Sequence, residues 1–233
     1  MPARSISRWP LFLGGALALL GGVALVAFQG VGYAADQVGL EKNAETTQQL
    51  LTAWDKSLAE TASSEQIPVT ERPGTYEEFG IIYVPRWGRD YVAPILEGDD
   101  TVNVSSWVGV DHYPSTQMPG ELGNFALTGH NGRLGTGRFS YVERLQPGDN
   151  IYVETVDGWY VYSFTHMDLV KPDQNEVLAP VPYQLGAEPT KSVITLMACS
   201  RSEGEDVRKV GFGDFVKFVP RADGAPEEVI ALQ

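Results

Sequence analysis

The stretch V-I-T-L-M-A-C-S-R-S-E-G-E-D-V-R, Val193 to Arg208, decides how the chain is read, because it holds Cys199, the single cysteine in 233 residues. A lone thiol has no internal disulfide partner, so it is there for packing, by chance or for reactivity. Val193 to Met197 is an apolar, β-prone run and Ser200 to Gly204 is polar, which puts Cys199 where a buried strand passes into a loop. Scaffolds present nucleophiles at such junctions. A buried cysteine acting as a small hydrophobe is nevertheless the commoner fate of a free thiol, and strand position alone leaves that alternative standing.

Outward from this run the pattern repeats. Short β-prone segments at Ile81–Val84, Tyr91–Leu96, Trp107–Val110, Asn124–Thr128, Ile151–Val156, Trp159–Val170 and Phe215–Val219 are separated by turn residues, and Asp157-Gly158 between two of them signals a tight hairpin. Many short strands with few helical intervals predict a mainly β barrel or sandwich over residues 79–220. The remainder, 221–233, reads as an acidic tail.

Upstream, Pro10 to Ala35 carries no charged side chain, and Leu11 to Phe28 is apolar apart from four glycines. At about 1.5 Å per residue such a segment crosses a hydrocarbon core of about 30 Å. Residues 1–10, with Arg4 and Arg8, are expected in the cytoplasm, 11–35 as a single membrane anchor, and everything after Asp36 outside. A cleaved signal peptide is the rival, with small residues around Gly32-Tyr33-Ala34, but the apolar segment exceeds the usual length. Residues 36–78 are expected as a stalk and linker. Ala44, Thr47, Leu51, Trp54 and Leu58 form one stripe of an amphipathic helix, either a stalk near the membrane or a helix packed on its own domain. Ser63 to Tyr76 follows with Pro68, Pro73 and Gly74 and reads as linker.

Thirty acidic against seventeen basic residues, net −13, exclude nucleic acid as a partner, since phosphate binding needs clustered Lys and Arg. One cysteine and three scattered histidines lack the spacings of a zinc site, so neither metal nor cofactor is expected. Of the histidines, His130 follows a strand in F-A-L-T-G-H-N-G-R-L-G, where glycines allow a sharp turn that exposes the ring. His166 lies inside a strand-like run and is expected at the surface or hydrogen-bonded. His112, in V-D-H-Y-P, is expected in a loop close to the site.

T-G-H at 128–130, T-L-x-x-C at 195–199 and Arg208, nine residues beyond the cysteine, resemble the sortases, membrane-anchored cysteine transpeptidases of Gram-positive surfaces. H-Y-P-S-T-Q-M-P-G-E-L-G-N-F-A-L-T-G-H, G-R-F-S-Y-V-E-R-L-Q-P-G-D-N-I-Y-V and V-L-A-P-V-P are similar to the actinobacterial class E group, with coverage from about Phe79 to Pro220. The resemblance implies a closed β-barrel of about eight strands with short helices. It makes Cys199 the nucleophile, His130 the acid and base, and Arg208 the oxyanion or substrate-positioning group, with Thr128, Ala198, Asn131 and Tyr113 as substrate-contacting positions. Arg201 is the rival arginine, but it lies in the loop, whereas Arg208 opens the next run.

The implied substrates are surface proteins bearing C-terminal sorting signals of the LPxTG or LAxTG kind. The implied acceptor is a peptidoglycan precursor amine. Two departures from the class E pattern bear on specificity: Ala198 stands where a threonine is usual, and Asn131 where an arginine is usual. A cysteine hydrolase with the same triad, and a tethered, non-catalytic adhesion or wall-binding domain, are the other classes the sequence leaves open.

Overall fold

A computed structural model describes residues 45–52, 67–98, 108–131, 137–199 and 207–232. The expected anchor over 11–35 and Trp54 of the expected stalk lie outside these residues. Among the described residues no helix is long and apolar enough to cross a membrane.

The strand that ends at Cys199 is central. In β7 (Ser192–Cys199), Ile194, Leu196 and Ala198 belong to the main core, while Met197 belongs to a second cluster on the outer face. This is the two-residue alternation of a strand covered on both sides. Its neighbours are β4 (Gly123–Gly129), paired in parallel, and β8 (Arg208–Pro220), paired antiparallel. The sheet closes through β1 (Glu78–Tyr83), β2 (Val92–Glu97), β3 (Val110–His112), β5 (Asn150–Glu154) and β6 (Gly158–Val170) in the order β1-β2-β3-β4-β7-β8-β6-β5. Closure leaves no free edge.

Inside the barrel, Ile82, Ile95, Phe125, Leu127, Tyr160, Tyr162, Ile194 and Leu196 are all but fully buried. Each such large apolar side chain contributes roughly 1.5–3 kcal/mol by leaving water, so this interior dominates the stability.

All eight expected strands form, with two large boundary differences. β8 begins at Arg208 and not at Phe215, because Gly211 and Gly213 are not breakers. A Cβ at either would lie 3.0 Å from the Phe164 ring or from Ile194, so glycine is what lets those neighbours lie across the strand. β3 lies later than expected, at Val110–His112, where it pairs in parallel with Ile95–Glu97 of β2; just before it, a Cβ on Gly109 would sit 2.4 Å from the Pro94 carbonyl. His112 is therefore in a strand, fully buried, and not in a loop. The β5–β6 hairpin turns on Val156-Asp157, one residue earlier than expected, and is closed by reciprocal Thr155–Gly158 backbone bonds. Gly158 has φ +150 and its missing Cβ would strike the Val219 carbonyl at 2.2 Å.

The flanking segments belong to the barrel domain. In the segment expected as linker, the Thr70 amide donates to the Pro119 carbonyl at 3.0 Å, and Tyr160 Oη donates to the Pro68 carbonyl at 2.8 Å. Residues 45–52 are helical, as the apolar stripe predicts, and this helix packs on its own domain. Thr47 Oγ1 donates to the Val108 carbonyl at 2.9 Å, and Leu51 joins Ile81, Tyr83, Tyr152, Trp159 and Val161 on the outer face of β1, β5 and β6. From the tail, Val229 completes that cluster and Arg221 reaches Glu154 at 2.9 Å.

Candidate active site

Three strand ends meet. In the β7–β8 ladder the Cα of Cys199 lies opposite Arg208, the first residue of β8. In the parallel β4–β7 ladder Gly129 lies beside Ala198, so His130, the next residue after β4, emerges alongside the end of β7. Residues remote in sequence are thus placed together by backbone pairing alone. The ladder sets Arg208 against the cysteine; Arg201 and the acidic loop lie outside the described residues.

His130 is half-buried, and its carbonyl accepts from the Phe139 amide at 3.0 Å. Phe139 also explains Gly129: a Cβ there would lie 2.9 Å from the Phe139 ring, so the ring packs directly on the backbone that leads into the histidine. Arg208 Nη1 lies 3.6 Å from Met197 Sδ, and Tyr113 Oη donates to the same sulfur at 3.3 Å. Met197 is therefore a shared floor under Arg208 and Tyr113.

The other expected positions are placed as follows. Ala198 is 1% exposed and packs in the barrel core, so its methyl faces away from the outer face on which Met197 and Tyr113 meet. Thr128 is buried and its hydroxyl donates to the Met197 carbonyl at 3.3 Å, tying β4 to β7. Asn131 is half-buried directly after His130. His166, on β6, is exposed, with its ring stacked on Phe212 at 4.9 Å. Sequence reasoning assigned no role to Phe139 or to the Lys209–Glu143 ion pair beside the site; the only signal was that both Phe139 and Glu143 lie in the G-R-F-S-Y-V-E-R run.

On the same outer face the segment after β6 forms a cover. Asn124 Nδ2 donates to the carbonyls of Val177 and Ala179 at 2.9 and 3.2 Å, while Asn124 Oδ1 accepts from Thr195 at 2.7 Å. Val177 and Leu178 then pack against Met197, Val210 and Phe212. This wall runs beside the strand that leads to Cys199, which suits the confinement of an extended peptide. Beyond it a cavity of about 390 Å³ opens among His166, Tyr183, Val193 and Phe212, on the part of the sheet distant from the strand ends.

The model of the sortase domain matches residues 82–216, more than half of the chain. The chain belongs to the sortase family. Sortases are cysteine transpeptidases. This sortase is 34% identical to sortase SrtE1 of Streptomyces coelicolor over 168 residues, 68% of the chain and 47% of the relative. It is 32% identical to SrtE2 of the same organism, over 45% of the chain and 41% of that relative. It thus spans about half the length of the curated relatives it matches. Among solved structures it is similar to the SrtA sortase of Actinomyces oris, with TM-score 0.65 and 38% identity over 73% of this chain and 97% of that one. It also matches sortase E1 of S. coelicolor, solved with a tripeptide in the active site, with TM-score 0.59 and 34% identity over 66% and 96% of the two chains.

Proposed function

We propose that this chain is a membrane-anchored cysteine transpeptidase that cleaves a Thr-Gly bond in C-terminal sorting signals of surface proteins and joins the acyl group to a cell-wall amine. The observation that carries the reading is the register: Cys199 opposite Arg208, with His130 one residue beyond the Gly129–Ala198 pairing. The tripeptide in the active site of the S. coelicolor relative supports a peptide as substrate class.

In this mechanism the Cys199 thiolate attacks the threonine carbonyl carbon. Arg208 hydrogen-bonds to the oxygen as charge gathers on it, and the carbon–nitrogen bond to glycine breaks as the His130 imidazolium gives its proton to the departing amine. An acceptor amine then attacks the thioester, His130 takes up the proton from that amine, and the thiolate leaves. Tyr113, fixed beside Arg208 through Met197, contacts the bound peptide. Residues 11–35 hold the barrel outside a cell membrane.

The test uses the full chain in detergent micelles, a fluorogenic LAxTG peptide and a peptide amine. Ligated product that requires the amine and disappears in Cys199→Ala supports the reading. Acid release indifferent to the amine makes the chain a hydrolase, and an inert wild-type thiol leaves only a tethered binding domain. For the anchor, retention of the chain in a carbonate-washed membrane pellet supports it, and release overturns it.

A further inference from the structure

Residues 137–144 touch both halves of the candidate site. At one end of this strap the Phe139 amide holds the His130 carbonyl at 3.0 Å, and the Phe139 ring lies on Gly129. At the other end the 3-10 helix Val142–Arg144 carries Glu143, which pairs with Lys209, the residue immediately after Arg208. The first end is also tied down by Arg138, next to Phe139, whose Nε donates to the Val108 carbonyl at 2.8 Å and whose Nη2 donates to Thr47 Oγ1.

Lys209 is an unusual residue for its place. Its Cα pairs with that of Ala198 next to Cys199, and its side chain is 7% exposed, while that of Glu143 is 54% exposed. A lysine seldom gives up its hydration without a partner, and Glu143 on the strap supplies a carboxylate that reaches it from the solvent side. The arrangement joins the strand end that bears His130 to the strand start that bears Arg208.

We propose that the Glu143–Lys209 pair is a positioning device: it locks the first residues of β8 to the strap that holds His130, and so fixes Arg208 relative to the histidine. Lys209 and Glu143 touch neither substrate nor reacting atoms in this assignment. The inference rests on the transpeptidase reading for its kinetic consequence, but its structural half does not.

The test compares wild type, Lys209→Met, Lys209→Arg and Glu143→Gln as full-length chains, reading transfer kinetics, melting temperature and amide hydrogen exchange. Lys209→Met is expected to lower kcat about tenfold with KM within twofold, to leave melting unchanged, and to speed exchange of the Phe139 amide and of the amides at 208–210 about tenfold. Lys209→Arg, which keeps the charge, is expected to recover most of kcat. Glu143→Gln is expected to follow Lys209→Met. An unchanged kcat in Lys209→Met overturns the proposal, as does a loss of kcat that tracks a loss of melting temperature or is not recovered by arginine. If the wild type itself fails to transfer, the transpeptidase reading falls instead, and the exchange data alone decide whether the pair locks the strap: unaltered exchange overturns it.

Discussion

Two histidines beside the same strand are used in opposite ways. His112 lies across from Leu127 of β4 and is fully buried; Glu97 Oε2 lies 2.6 Å from its Nδ1, the Gln117 carbonyl 3.1 Å and Thr116 Oγ1 3.0 Å from its Nε2, and its ring stacks on Phe125 at 5.1 Å. Arg72, from the segment before β1, closes the group by reaching Glu97 at 2.6 Å and the Thr116 carbonyl at 2.7 Å. His130, past the end of β4, is half-buried, and its carbonyl accepts from the Phe139 amide. Both regions combine a histidine with an arginine. One is enclosed in the barrel and serves the fold, while the other stands just past the end of a strand, beside the end of β7.

The sharpest way to break this contrast is to remove each arginine in turn. Arg208→Ala is expected to lower kcat/KM by about 100-fold to 1,000-fold while melting stays within a degree or two, in line with the loss of an oxyanion donor. Arg72→Ala is expected to do the reverse, lowering the melting temperature while activity per folded molecule stays within about twofold. Peptide-transfer assays and thermal scans on the same samples decide, and a common melting loss in both variants would erase the distinction.

Next in size is Glu97→Ala, which leaves Arg72 and His112 without their carboxylate and is expected to cost about 3 kcal/mol in urea unfolding. The pH dependence follows from the same group. Burial alone would raise the Glu97 carboxyl, but the hydrogen bonds and charges of His112 and Arg72 outweigh it and hold it below the ordinary carboxylate value. Its contribution is therefore present above about pH 4.3 and is lost as pH falls through the depressed value. Glu97→Gln should flatten that acid limb, as urea midpoints measured across it would show.

Glu78, at the start of β1, behaves in the contrary sense. Burial pushes its carboxyl up to about 7, and its Oε1 finds no hydrogen-bond partner among the described residues. The folded state prefers the protonated acid, so stability declines as pH rises from the ordinary carboxylate range through 7. Glu78→Gln is expected to raise the melting temperature more at pH 8 than at pH 5, and an equal shift at both would refute the assignment. The smallest effect is expected at Thr128→Val, which removes one hydrogen bond between β4 and β7, about 1 kcal/mol by urea unfolding, with activity changed less than tenfold.

Much of this was legible in the chain because periodicity and turn chemistry are local. The β-prone runs and the T-G-H, T-L-x-x-C and Arg208 motifs needed no knowledge of distant partners. The rest is decided by neighbours far away in sequence. His112 looked like a loop residue because Glu97 and Arg72, which make its burial tolerable, come from other segments. The start of β8 at Arg208, ahead of the expected Phe215, is set by side chains lying over the glycines of K-V-G-F-G-D, and these, Phe164 and Ile194, belong to other strands. Residues 67–76 looked like linker because prolines and polar residues advertise flexibility, whereas Pro68, Thr70 and Arg72 are bonded to the barrel. Ala198, which the resemblance makes a substrate-contacting position, has its methyl in the barrel core, a direction set by alternation along β7.

The parallel pairing of β4 with β7 also governs when the chain acquires chemistry. Parallel partners cannot be joined by a tight turn, and here β5 and β6 must be made between them, so the contact that brings His130 beside the end of β7 spans a long stretch of sequence. Such contacts close slowly, after local hairpins such as β5–β6. A chain still emerging or only partly collapsed carries its cysteine without the histidine, and Arg208 is the last of the three to be synthesised. The meeting of Cys199, Arg208 and His130 at the strand ends is thus a product of barrel closure and not of local sequence.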